Sequence, residues 1–88
     1  MVTVKKFSAS WCGPCRALAP VMNEVKTQFS NVLFEDIDVD ESSDIASKYN
    51  IRSVPTVIVE NNGKEVGRFA GVQSKIAYVN LINEQILK

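Results

Sequence analysis

The stretch Ser10-Trp11-Cys12-Gly13-Pro14-Cys15-Arg16 constrains this chain more than any other, because it holds both cysteines, the only tryptophan and one of three prolines. It stands where a β-branched run gives way to a helical pattern. Two thiols separated by two residues at a helix start can close into a disulfide with little backbone movement, and can reopen when an outside thiolate attacks. As a brace the ring is poor: closing so short a loop restrains the unfolded chain by only about 2 kcal/mol. Reversible redox chemistry is the stronger reading. A structural zinc site needs about four N or S ligands. With two cysteines and no histidine, only an oligomer could complete one.

The 88 residues read as a single domain, 1–88, with room for one modest core. Ten basic and ten acidic residues cancel, leaving no global field to draw in nucleic acid or an anionic membrane. No apolar run approaches the roughly 20 residues of a membrane span. The start, Met1-Val2-Thr3-Val4-Lys5-Lys6, lacks the pattern of a signal peptide. Two cysteines in a chain read as leaderless favour the cytoplasm, where C-x-x-C is more often catalytic than structural.

Val2 to Phe7 is expected to be a strand, with Val2, Val4 and Lys6 on one face and Thr3, Lys5 and Phe7 on the other. From Pro14 to about Phe29, Cys15, Leu18, Ala19, Met22, Val25 and Phe29 share one helical stripe. Pro14 suits a first turn, and Pro20 should bend the helix behind it. Val32 to Val39 reads as a second strand. The six acids from Glu35 to Asp44 read mostly as a solvated strand end and loop, since their spacing lacks the glycine and closing glutamate of a calcium-binding EF-hand. Ser42 or Ser43 should cap a short helix through Tyr49, with Ile45 and Tyr49 on one face.

Thr56 to Val59 is an apolar strand, Glu60 to Lys64 a turn with Asn62-Gly63 at positive φ, and Glu65 to Phe69 its antiparallel return. Ser74 should open a last helix with Ile76, Val79, Ile82, Ile86 and Leu87 on one stripe, interrupted by Asn83. The order β-α-β-α-β-β-α predicts an α/β fold, a four-stranded mixed sheet with helices on both faces.

The helical phase assigns the sulfurs different places. Cys15 falls on the buried stripe and Cys12 at an open N-terminal tip, facing unpaired backbone N–H groups and the positive end of the helix dipole. Those favour the Cys12 thiolate by about 1 to 2 kcal/mol. Cys12 would attack a substrate disulfide and Cys15 would resolve the mixed disulfide.

Trp11-Cys12-Gly13-Pro14-Cys15, Pro20, Val54-Pro55-Thr56 before an apolar strand, and Gly71 after the hairpin together resemble the thioredoxin family across nearly the whole chain. The resemblance implies a thioredoxin-like fold that lacks the usual extra N-terminal strand and helix. It also implies a cis Pro55 facing the cysteines, whereas the residues alone show only a proline opening a strand. Val54 would pair its backbone with substrate, and Trp11, Gly13, Pro14, Gly71 and Val72 would complete the docking surface. Two plainer readings stay open: Trp11 as partly core, and Gly71 as a turn glycine.

Many relatives carry a buried acid five residues before the tryptophan, where this chain has Lys6. Lys6 either favours the Cys12 thiolate as a nearby cation or pairs with Glu35 or Asp36 at the sheet edge. The implied function is a cytoplasmic, monomeric thiol–disulfide oxidoreductase that reduces protein disulfides. It would bind no cofactor and be recharged from NADPH by a thioredoxin reductase-like flavoprotein. The alternatives are a glutaredoxin-like, glutathione-dependent enzyme and a non-catalytic binding subunit.

Overall fold

Alternation along Val2–Ser8 decides how the layers stack, since it sends Val2 and Val4 to one face and Phe7 to the other, all three buried. The computed structural model describes residues 1–88. In chain order the elements are β1 (Val2–Ser8), α1 (Gly13–Gln28), β2 (Leu33–Asp38), α2 (Ser43–Lys48), β3 (Thr56–Asn61), β4 (Lys64–Ala70) and α3 (Lys75–Ile86). The sheet order is β2-β1-β3-β4, with β1 and β2 parallel and the other pairs antiparallel. This is the expected mixed sheet in the expected element order.

Register places Val4 opposite Val59 and Lys6 opposite Val57. Against that face α1 and α3 close a core of Val2, Val4, Leu18, Met22, Val25, Phe29, Val32, Val57, Val59, Tyr78, Val79 and Ile82. The stripe read for α1 is therefore its buried face, apart from Ala19, which is half-buried. Where α3 crosses β4, a Cβ on Gly67 would come within 2.8 Å of Leu81 Cδ2. The bare backbone lets the helix sit close. On the opposite face Tyr49, just beyond α2, packs on Phe7 with ring centroids 5.5 Å apart.

Three expectations need correction. The strand β3 runs on through Glu60 and Asn61, and the turn shrinks to Asn62 and Gly63, at φ 55° and 83°. Glu60 stays in the strand because Lys5 and Tyr49 supply partners for its carboxylate. In α2 the buried residue is Ala46, while Ile45 faces out and Ser42 caps without a side-chain hydrogen bond.

The α3 stripe is rotated as well: Tyr78, Val79, Ile82 and Gln85 point inward, and Ile76, Ile86 and Leu87 are exposed. Tyr78 sets that phase. Its ring meets Phe69 edge-on at 5.1 Å, and its hydroxyl accepts the Gln73 N–H at 2.9 Å, so the polar tip is satisfied inside. Gln85 is held by Asn61, whose Nδ2 donates to Gln85 Oε1 at 3.3 Å.

Candidate active site

Where β1 ends, Cys12 becomes the N-cap of α1 in an extended conformation, and Pro14 sits in the first turn, where a missing N–H costs nothing. Cys12 and Cys15 are joined as a disulfide, with Cα atoms 5.3 Å apart. The Cys15 N–H donates to Cys12 Sγ at 3.1 Å, so the sulfur satisfies one of the orphan donors of the helix.

Cys12 is not the open tip that the helical phase suggested. It is 4% exposed, against 7% for Cys15. Both cysteines pack with Ala9 under the side chains of Val39 and Val54. The two sulfurs differ in surroundings rather than in exposure. It is Cys12 Sγ that has the Val54 carbonyl oxygen beside it, at 3.7 Å.

The Val54-Pro55 peptide bond is cis. The Gly71 N–H donates to the Pro55 carbonyl at 2.8 Å, which ties the end of β4 to the same spot. Gly71 holds φ 82°, a region that favours glycine, and Val72 beside it is exposed. Thr56 Oγ1 donates to the Ser53 carbonyl at 2.8 Å and steadies the approach to Pro55. Trp11, Cys12, Gly13, Pro14, Cys15, Val54, Pro55, Gly71 and Val72 thus belong to one end of the sheet.

Trp11 is no core residue: it is 69% exposed, and its indole N–H donates to Asp40 Oδ2 at 2.9 Å. Asp40 is presented by a turn in which Asp38 Oδ1 accepts the N–H groups of Asp40 and Glu41 at 2.8 and 3.1 Å. Trp11, Val39, Ile51, Arg52, Ser53 and Val54 line a shallow recess of about 150 Å³ next to the disulfide. The motif pointed to neither Asp40 nor Ile51 and Arg52. The available signal was indirect: an exposed indole seeks an acceptor, and the acids after β2 are the nearest supply.

Lys6 stands apart. Its ammonium lies 3.4 Å from Asp36 Oδ1, and the recess it lines is formed with Val4, Met22, Asn23, Lys26, Phe34, Glu35 and Asp36. Met22 is seven residues beyond Cys15 on α1, about 10 Å along the axis. The pairing of Lys6 with Asp36 is present in the structure. No group of three or more cysteine and acidic side chains is arranged to hold a metal ion. No helix is long and apolar enough to cross a membrane.

Residues 1–84 match the thioredoxin family. A thioredoxin from Chlamydia caviae is 38% identical over 78 residues, covering 89% of this chain and 76% of that protein. Thioredoxin-2 of Saccharomyces cerevisiae is 44% identical over 70 residues, covering 80% of this chain and 67% of that protein. The crystal structure of thioredoxin from Trypanosoma brucei brucei superimposes with a TM-score of 0.91 at 31% identity, over all of this chain and 77% of the other. None of these matches favours a glutaredoxin-like enzyme or a non-catalytic subunit. With the Cys12–Cys15 disulfide in place at the start of α1, the chain belongs to the thioredoxin family and is a thiol–disulfide oxidoreductase acting on protein disulfides.

Proposed function

We propose that Cys12 is the attacking and Cys15 the resolving sulfur of a general protein-disulfide reductase. The observation that carries this reading is the pair of contacts at Cys12 Sγ, with the Cys15 N–H on one side and the Val54 carbonyl on the other. In the reduced protein that N–H and the positive end of α1 favour the Cys12 thiolate. The thiolate attacks one sulfur of a substrate disulfide, a Cys12–substrate bond forms, and the substrate's own bond breaks to release its first thiolate. Cys15 then loses its proton and attacks Cys12 Sγ, which releases the second substrate thiolate and closes the Cys12–Cys15 disulfide. Two electrons pass to the substrate, and two protons follow.

Substrate docks on Trp11, Gly13, Pro14, Val54, Pro55, Gly71 and Val72. Gly13 supports this, because a Cβ there would meet no atom within 4 Å; its bareness serves an incoming chain rather than internal packing. The backbone of Val54 pairs with the substrate chain, and its side chain and those of Ile51 and Val39 receive an apolar side chain beside the scissile disulfide. The protein acts as a single-domain monomer, 1–88, in the cytoplasm. It binds no cofactor and is recharged from NADPH by a thioredoxin reductase-like flavoprotein. The test supplies the oxidised protein with either NADPH and a thioredoxin reductase or reduced glutathione, and follows reduction of insulin. Turnover with the flavoprotein is expected, and turnover with glutathione alone would overturn the recharging route.

A further inference from the structure

Across the sheet from the main core, a charged cluster takes no part in the thiol chemistry. Lys5 Nζ lies 3.1 Å from Glu35 Oε1 and 3.4 Å from Glu60 Oε1. The Tyr49 hydroxyl donates to Glu60 Oε2 at 2.7 Å, and the Lys5 ammonium stands 5.5 Å from the centre of the Tyr49 ring. The Glu60 side chain is 7% exposed and that of Lys5 19%. Burying an ion pair so nearly completely costs several kcal/mol in desolvation, and an apolar pair of similar volume does as well or better for stability alone. What a charged pair adds is direction: each partner accepts or donates along fixed lines.

What the cluster directs is Tyr49. The preceding α2 is only six residues long, with one buried side chain, Ala46, and no side-chain cap at Ser42. That is a weak hold on the sheet by itself. Tyr49 supplies the hold, with its ring on Phe7 of β1 and its hydroxyl on Glu60 of β3, while Lys5 links both to Glu35 of β2. Directly after it the chain turns at Asn50, φ 56°, and Ile51 N–H returns to the Ala46 carbonyl at 3.0 Å. The next residues, Ile51 to Val54, form one wall of the recess beside the disulfide and bring the Val54 carbonyl to Cys12 Sγ.

We infer that Tyr49 and Glu60, held by Lys5, are positioning residues that fix the Ile51–Val54 wall for docking of protein-disulfide substrates. The inference rests on the docking surface proposed above. A wall displaced by a fraction of an ångström weakens a substrate that lies along it and leaves a small disulfide, which needs only the sulfur, untouched.

The test uses pre-reduced protein in single turnover against insulin and against hydroxyethyl disulfide. Tyr49→Phe deletes one oxygen and keeps the ring on Phe7; Glu60→Leu removes the whole carboxylate; Glu60→Gln keeps an acceptor for the tyrosine. Tyr49→Phe and Glu60→Leu are expected to raise the half-saturating insulin concentration by about three- to tenfold, while the rate with hydroxyethyl disulfide changes less than about twofold. Glu60→Gln should recover most of the insulin affinity. Should Glu60→Leu fail to fold, Tyr49→Phe decides. Equal losses on both substrates, or an unchanged insulin dependence in folded Tyr49→Phe, would overturn the positioning role. A wild-type protein inactive on both would instead sink the oxidoreductase reading.

Discussion

The carbonyl oxygen of Val54 lies 3.7 Å from Cys12 Sγ. The Val54 side chain also packs over the cysteine pair. A carboxylate at this position would stand against the developing thiolate and disfavour it. Val54→Asp is expected to lower the thiolate fraction of Cys12 at neutral pH on the order of tenfold. Thiolate absorbance against pH in the reduced protein measures this, and a curve that overlays the wild type would count against the contact.

The Trp11–Asp40 hydrogen bond predicts a binding effect with little cost in stability, because both partners are exposed. Asp40→Ala frees the indole to leave the rim of the recess. The half-saturating insulin concentration should rise by about two- to tenfold, the worth of one hydrogen bond of about 0.5 to 1.5 kcal/mol. The tryptophan emission should shift at the same time. Unchanged kinetics with a shifted emission would show that the indole does not touch substrate.

Lys6 pairs with Asp36 at 3.4 Å and lines a recess around Met22 and Lys26, so replacing it should leave the sulfurs alone. Thiolate titrations of wild type and Lys6→Met are expected to superimpose. A displaced curve would mean that its charge reaches Cys12 after all.

Alkaline pH should destabilise the protein. The hydrogen bond to Glu60, then burial, push the Tyr49 hydroxyl above its ordinary value, against the opposing pull of Lys5. Burial works against the Lys5 charge, yet its bonds to Glu35 and Tyr49 and the charges of Glu60 and Glu35 outweigh that and hold it above its ordinary range. Both groups keep protons in the fold that the unfolded chain gives up near pH 10. Their stabilisation is therefore complete below about pH 10 and is lost as pH rises through the folded values. The thermal midpoint should be level up to about pH 9.5 and fall beyond about pH 10. Tyr49→Phe should blunt the fall without removing it, since Lys5 and the buried Tyr78, also raised, act in the same direction. A midpoint level to about pH 11 would contradict this.

The features readable in the sequence were those written locally. Spacing alone placed Cys12 and Cys15 on a helix start, positive-φ chemistry located Asn62-Gly63, and period counting found the α1 stripe. What stayed hidden joins residues distant in sequence through polar atoms. Asp40 meets Trp11 from 29 positions away, and Glu60 meets Tyr49 from 11, with no periodicity to announce either contact. The phase of α3 is hidden from periodicity for a related reason. Ile76, Ile86 and Leu87 outscored Tyr78 and Gln85 in hydrophobicity, yet Tyr78 and Gln85 find partners inside for their polar ends and take the buried side. The burial of Cys12 was equally out of reach, because Val39 and Val54, which pack against it, are distant in sequence.

Mixed-disulfide trapping separates the attacking sulfur from the resolving one. Reduced Cys15→Ser, incubated with a disulfide-bonded protein, is predicted to accumulate a covalent adduct through Cys12 that dithiothreitol releases, while Cys12→Ser forms none at neutral pH. An adduct on Cys12→Ser through Cys15, with none on Cys15→Ser, would reverse the two roles.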